Sequence, residues 1–148
     1  MSILEELSQI KIEANLNLDS KKKSALGQFF TPDEICLYMS SLFHKINDKV
    51  SLLDPGCGPC SLTASFLDEA IRRKSCTSLT ASTFDIEEKI IPQINKALSI
   101  CKRKADEVGL EFNSIFNLPV AILPFSKYFK AVNPIDKSNK VAMIPPLI

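Results

Sequence analysis

The sequence has almost no excess charge: 18 lysines and arginines stand against 17 aspartates and glutamates, a net charge of +1 over 148 residues. Without a basic surplus the chain cannot hold a polyanion by bulk electrostatics, which excludes a charge-driven nucleic-acid coat protein. It also lacks an apolar run long enough to span a bilayer. Its N-terminus, Met-Ser-Ile-Leu-Glu-Glu, puts acids where a secretory signal needs a basic region and an apolar core. Together these absences predict a cytoplasmic protein with no membrane partner. The single histidine, His44, has no serine or cysteine partner signature around it and reads as a half-exposed helix residue. Internal repeats and low-complexity tracts are absent. What is present, 45% hydrophobic and 24% charged residues, is the balance of one ordinary globular domain and excludes disorder and fibre.

Five cysteines, Cys36, Cys57, Cys60, Cys76 and Cys101, are an odd number scattered through segments that read as regular structure. A chain of this size builds a core without staples, so they read as reduced thiols. Cys57 and Cys60 form a C-x-x-C pair, but zinc needs two more soft ligands at compatible spacing, and His44 lies elsewhere. No metal is expected.

Ile3, Leu4, Leu7 and Ile10 recur at helical spacing with Glu5, Glu6 and Gln9 between them, the pattern of an amphipathic helix. Periodicity then fails over residues 15–24, a polar stretch ending in Lys21, Lys22 and Lys23 that reads as a surface loop. Thr31-Pro32-Asp33-Glu34 is a helix start, with a threonine cap, proline in the first turn and glutamate three residues after the cap. The helix is expected over residues 32–47, burying Ile35, Met39, Leu42, Phe43 and Ile46. Residues 50–53 form a short apolar run, a buried parallel strand that stops at Asp54-Pro55-Gly56. Ser61 is placed to cap a helix carrying Leu62, Phe66, Leu67, Ala70 and Ile71 on one side and ending in Arg72-Arg73-Lys74.

Residues 78–85 alternate and are rich in serine and threonine, a strand ending in an acid. A helix is expected over residues 87–108, with Pro92 in its first turns and Gly109 as its stop. Residues 111–115 follow as a strand, and residues 140–144 as another, closed by Pro145-Pro146. Between them, residues 117–139 read as loop with one short element near 126–132. Strands alternating with helices predict a parallel, doubly wound α/β sheet.

The strongest site signal is the strand followed by Asp54-Pro55-Gly56-Cys57-Gly58-Pro59-Cys60 and then a helix. In an open α/β sheet a ligand binds beyond the carboxyl ends of the strands, where glycines admit it to the backbone and a helix N-terminus offers free N–H groups. A dinucleotide fingerprint, G-x-G-x-x-G, would need glycine at Ser61, which weakens a nicotinamide reading. The second strand ends in Phe84-Asp85, a carboxylate placed to accept both hydroxyls of a ribose. A nucleoside-bearing cofactor without a pyrophosphate satisfies both facts; a glycine turn that merely joins strand to helix is the bland alternative.

The run from Asp54 to Leu62 resembles the S-adenosyl-L-methionine motif of class I methyltransferases, in the DPGxGxGxL form of adenine-specific (N6) DNA methyltransferases of restriction-modification systems. Ala25-Leu-Gly-Gln-Phe-Phe-Thr-Pro32 is similar to the G-x-x-x-TP element that precedes the first strand in that family. Thr83-Phe-Asp-Ile-Glu-Glu88 resembles its acidic ribose motif. The resemblance covers residues 25–108. It implies a Rossmann-like class I methyltransferase fold with a partial parallel sheet, flanking helices and an N-terminal helical extension. The corresponding division is an N-terminal helix and loop, 1–24, and a partial methyltransferase domain, 25–148. By the same resemblance Phe30, Thr31 and Pro32 line the methionine side of the cofactor. Asp54, Pro55, Gly56 and Gly58 form the turn beneath it, Asp85 holds its ribose, and Ile86 flanks its adenine. Cys60 departs from the pattern, standing where the family usually has a third glycine.

Catalysis in the family needs Asn-Pro-Pro-aromatic after the fourth strand, because the asparagine oxygen and a proline carbonyl hold the amino group of a flipped adenine while the ring stacks on the base. Here that place reads Ile144-Pro145-Pro146-Leu147, without acceptor or π face. Asn133-Pro134-Ile135-Asp136 is only a partial second match, so no catalytic residue is assigned. The resemblance thus implies the N-terminal portion of a DNA methyltransferase, a decayed, frameshifted or split gene product, inactive alone. Its partners would be DNA and a complementing subunit that supplies the asparagine. Other readings are a non-enzymatic remnant that keeps only the fold, and a small-molecule methyltransferase.

Overall fold

The structure, a computed structural model, describes residues 1–19, 30–118 and 140–143, the last four by their backbone alone. The lysine triplet 21–23, residues 25–29 of the G-x-x-x-TP element, the element expected near 126–132, and the segments 133–136 and 144–147 lie outside the described residues.

Four strands, β1 (Lys49–Pro55), β2 (Ser78–Phe84), β3 (Glu111–Asn117) and β4 (Lys140–Met143), form one sheet in the order β3-β2-β1-β4. All three pairings are parallel. The expected parallel α/β architecture is therefore what the chain adopts. The chain winds outward from β1 to β3 and then returns to the other side of β1. That reversal makes the carboxyl end of β1 a topological switch point, where such sheets open a crevice.

Among the described residues four α-helices accompany the strands: α1 (Ile3–Asn17), α2 (Asp33–Ser41), α3 (Ser61–Arg73) and α4 (Ile91–Glu107). Ile3, Leu7 and Ile10 of α1 share one core with Phe66 and Leu67 of α3, Ile94 and Cys101 of α4, and Leu52, Leu79 and Phe112 of the sheet. A complete capping box starts α1: Ser2 accepts from the Glu5 amide and Glu5 reaches back to the Ser2 amide. Asp68 of α3 accepts the Ile3 N–H at 2.9 Å. All five cysteines are free thiols and buried.

Several boundaries differ from the sequence reading, each for a local reason. Pro32, not Thr31, is the N-cap of α2, and no side chain caps it; the extended proline instead offers its carbonyl to the amides of Ile35 and Cys36. The helix ends at Ser41 rather than near 47, because Arg73 of α3 takes the carbonyls of Ser41 and Phe43. His44 therefore lies beyond the helix, exposed. Of the face expected to be buried, Ile46 is in the core and Met39 and Phe43 pack against it, whereas Ile35 and Leu42 are exposed and Cys36 and Ser40 are buried in α2. Small side chains let α2 approach α3, where the Ser40 and Ser65 hydroxyls meet at 3.0 Å. Likewise α1 runs on to Asn17 before the polar stretch begins. The helix expected from 87 opens as a 3-10 helix, Glu88–Ile90. Pro92 has no N–H to give the Glu88 carbonyl, which accepts the Ile91 amide instead.

The arginine that ends α2 is itself held by Glu69, which accepts from Arg73 at 2.6 Å and from Arg72 at 2.7 and 2.8 Å. These bonds depress the Glu69 carboxyl to about 2. A folded-state value below the ordinary one adds stability that is complete above pH 4.5 and is lost as the pH falls toward 2. After solvent screening, Glu69→Gln should cost about 1 kcal/mol at neutral pH. Urea unfolding of the two proteins should converge near pH 2; a gap of equal size at both ends would exclude the carboxylate as its source.

Candidate functional site

The site is built at the carboxyl end of β1, where the chain must leave the sheet and enter α3 within five residues. The amides of Gly56 and Cys57 both donate to the Phe84 carbonyl at 2.8 Å, so the pairing of β1 with β2 continues into the turn. Gly56 has φ +123 and Gly58 φ +49, conformations that glycine reaches without a Cβ penalty. Among the described residues, nothing beyond its two chain neighbours stands within 4 Å of a Cβ placed at Gly56. At Gly58 a Cβ would stand 3.1 Å from the Phe30 ring. Phe30 and Gly58, 28 residues apart in the chain, are thus in van der Waals contact across the turn.

Asp85 closes the turn from β2. Its Oδ2 accepts the Gly58 N–H and its Oδ1 the Glu87 N–H, both at 2.8 Å. Burial nevertheless pushes its carboxyl above the ordinary range. Asp54 lies beneath, 2% exposed, accepting the Thr63 hydroxyl at 2.6 Å. Burial raises it to about 6, against the Thr63 hydrogen bond and with help from the Asp85 charge. Among the described residues neither carboxylate has an ion-pair partner. Two acids with one-sided charge around a glycine turn favour a cationic group in the crevice.

The remaining predicted residues differ in exposure. Pro55 is half-buried at the end of β1, Thr31 is half-buried, and Pro32 and Ile86 are exposed. The Thr31 carbonyl accepts the Cys36 thiol at 3.8 Å. Ser61 does not cap α3. The N-cap is Cys60 with φ 59, and no side chain caps the helix. Cys60 thus adopts the left-handed conformation that glycine supplies where the family has one, at a cost of about 1–2 kcal/mol. Its side chain is fully buried, with its thiol 4.0 Å from the Gly58 carbonyl, and it does not fill the open space at Gly56. The neighbouring Cys57 thiol and then burial raise the Cys60 thiol well above its ordinary range, while Cys60 acts to lower Cys57 and burial with the nearby carboxylates leaves it raised. They are consequently poor nucleophiles. Among the described residues no cluster of His, Cys, Asp or Glu could hold a metal.

One residue escaped the sequence reading. Thr63 is fully buried against Asp54, signalled only by a polar residue on an otherwise apolar helix face. Ser61 Oγ is buried and finds no hydrogen-bond partner among the described residues.

Comparison with known proteins bears on this site. The chain is 27% identical over 142 residues to the type II methyltransferase M.PstI of Providencia stuartii, covering 96% of this chain and 28% of that protein. It is 35% identical over 102 residues to M.BsuBI of Bacillus subtilis, 68% of this chain and 20% of the relative. With M.HincII of Haemophilus influenzae it shares 41% over 68 residues, 46% of this chain and 12% of the other. The chain thus spans less than a third of the length of these curated relatives. The family model for N-6 DNA methylases matches residues 15–93, more than half the chain and all of the turn, Phe30 and Asp85. The chain belongs to the N-6 DNA methylase family.

Proposed function

We propose that this chain is the S-adenosyl-L-methionine-binding, N-terminal part of a site-specific adenine-N6 DNA methyltransferase working in the cytoplasm. The observation that carries the reading is the bond from the Gly58 amide to Asp85, which sets a carboxylate beside an open glycine turn and above a second, buried carboxylate without a cation. The residues fit the cofactor. Gly56 leaves room for it, Asp85 keeps lone pairs for ribose hydroxyls, Asp54 favours its positive charge, and Phe30, Thr31, Pro32, Pro55 and Ile86 flank the opening. When bound, the cofactor supplies an electrophilic methyl group on a sulfonium.

Methyl transfer needs an acceptor for the adenine amino group, and Ile144-Pro145-Pro146-Leu147 offers none in its side chains. The chain by itself binds the cofactor and leaves DNA unmethylated; a complementing methyltransferase subunit would supply the asparagine. The match to the N-6 DNA methylase family supports DNA as the substrate of the assembled enzyme.

Calorimetric titration of the chain with S-adenosyl-L-methionine should give micromolar binding. Absence of heat at millimolar ligand would leave a remnant that retains only the fold. Labelled methyl appearing in DNA with this chain alone would overturn the inactivity.

A further inference from the structure

Helix α1 carries a residue that reaches the first turn of α2, although it begins ahead of the stretch matched by the family. The helix is firmly anchored. Its N-terminus is held by Asp68 of α3, Glu6 pairs with Arg103 and with Lys104 of α4, the latter at 2.7 Å, and Glu13 pairs with Lys96 at 3.2 Å. From this platform Lys11, with a side chain only 17% exposed, reaches across to Asp33 in the first turn of α2. Among the described residues this is the one ion pair that joins α1 to α2. The same helix packs against the 3-10 helix Glu88–Ile90, which follows Asp85. Helix α1 therefore meets the start of α2 and the 3-10 helix that follows Asp85.

Asp33 lies three residues after Phe30, whose ring rests on Gly58. Between them, the Thr31 carbonyl is tied to Cys36 of α2. Moving the first turn of α2 moves that short segment, because the proline at its centre has a fixed φ and cannot absorb a rotation. We propose that Lys11 is a positioning residue. Through Asp33 it holds the segment 30–32 against the glycine turn and so sets the affinity of the site for its nucleoside cofactor. Asp33 keeps 39% of its side chain exposed, so this pair adds only modestly to stability, and its loss should be felt at the ligand before it is felt in folding. The affinity part rests on the cofactor reading above.

The test uses the whole chain and two readouts. Lys11→Met and Asp33→Asn should each weaken S-adenosyl-L-methionine binding about fivefold, the double variant should be no weaker than either, and Lys11→Arg should restore binding. Lys96→Met, which breaks the pair on the far side of α1, should leave affinity unchanged. Without any ligand, Lys11→Met should also shift the Gly58 amide resonance, which senses the Phe30 ring, and Lys96→Met should not. Equal affinity in Lys11→Met, or equal weakening by Lys96→Met, overturns the proposal. If the wild-type chain binds no cofactor, the function proposed above fails, and the amide resonance alone decides: a Gly58 signal unmoved by Lys11→Met refutes the positioning role.

Discussion

Asp85→Ala should abolish detectable S-adenosyl-L-methionine binding and lower the stability of the unliganded chain by about 2 kcal/mol. Both effects come from the same two oxygens. Each accepts a backbone N–H at 2.8 Å, from Gly58 and from Glu87, and a hydrogen bond to a charged acceptor is among the stronger ones a protein makes. Part of the gain is offset by burial, which raises the Asp85 carboxyl and so makes its charged form costly. Removing the side chain leaves the Gly58 amide unpaired beside the Phe30 ring, and the turn loses the contact that fixes its distance from β2. Asp85→Asn separates the two roles, since one amide oxygen can still receive one N–H while the neighbouring NH2 repels the other. It should fold with about half the loss in stability and still bind the cofactor poorly. Melting curves and calorimetry on both variants check this; cofactor affinity unchanged in Asp85→Ala would remove Asp85 from the site.

Asp54→Asn should act in the opposite direction on stability. Asp54 is buried, and its folded-state value of about 6 lies above the ordinary 3.8. Between those values the folded chain binds more protons than the unfolded one, so stability falls as the pH rises from about 4 to 6 and stays low above. The difference corresponds to about 3 kcal/mol. Asparagine keeps an acceptor for the Thr63 hydroxyl and never ionises. The variant should therefore be more stable than the parent at pH 7.5 by about 1–3 kcal/mol and match it near pH 4. Cofactor affinity should fall at least tenfold, because the cation would lose its buried counter-charge. A parent protein whose stability is flat from pH 4 to 7, or a variant that binds as tightly, would refute the electrostatic account. Stability given up at a buried acid and regained on binding is a common bargain at ligand sites.

Local chemistry made much of this protein legible from its residues in order. Apolar periodicity located α1 and α3, Pro92 and Gly109 bounded α4, and the run ending at Asp54-Pro55-Gly56 located β1. The alternation at 78–84 and the apolar residues after 140 located β2 and β4. Strands separated by helices leave few connections other than parallel ones, so the sheet followed. The pairing of a glycine turn with an acid one helix later was visible because both belong to the same β-α-β unit and their spacing is set by the length of one helix.

Other features depended on neighbours that no local window contains. The length of α2 was set by Arg73 taking its terminal carbonyls, and its buried face by how closely Ser40 could approach Ser65. The left-handed Cys60 is held by packing around a thiol, whereas its sequence neighbours suggested Ser61 as a cap.

By itself the sequence determined most of the segments that become helix and strand, and where the glycine turn falls, since periodicity, proline and glycine act over a few residues. Only the tertiary structure decided that Asp85 bonds to Gly58, that Phe30 rests on that glycine, that Thr63 answers Asp54, and that Lys11 reaches Asp33. Those contacts join residues from 9 to 28 positions apart, and their partners are chosen by how the helices pack on the sheet and by the charges that burial leaves unsatisfied.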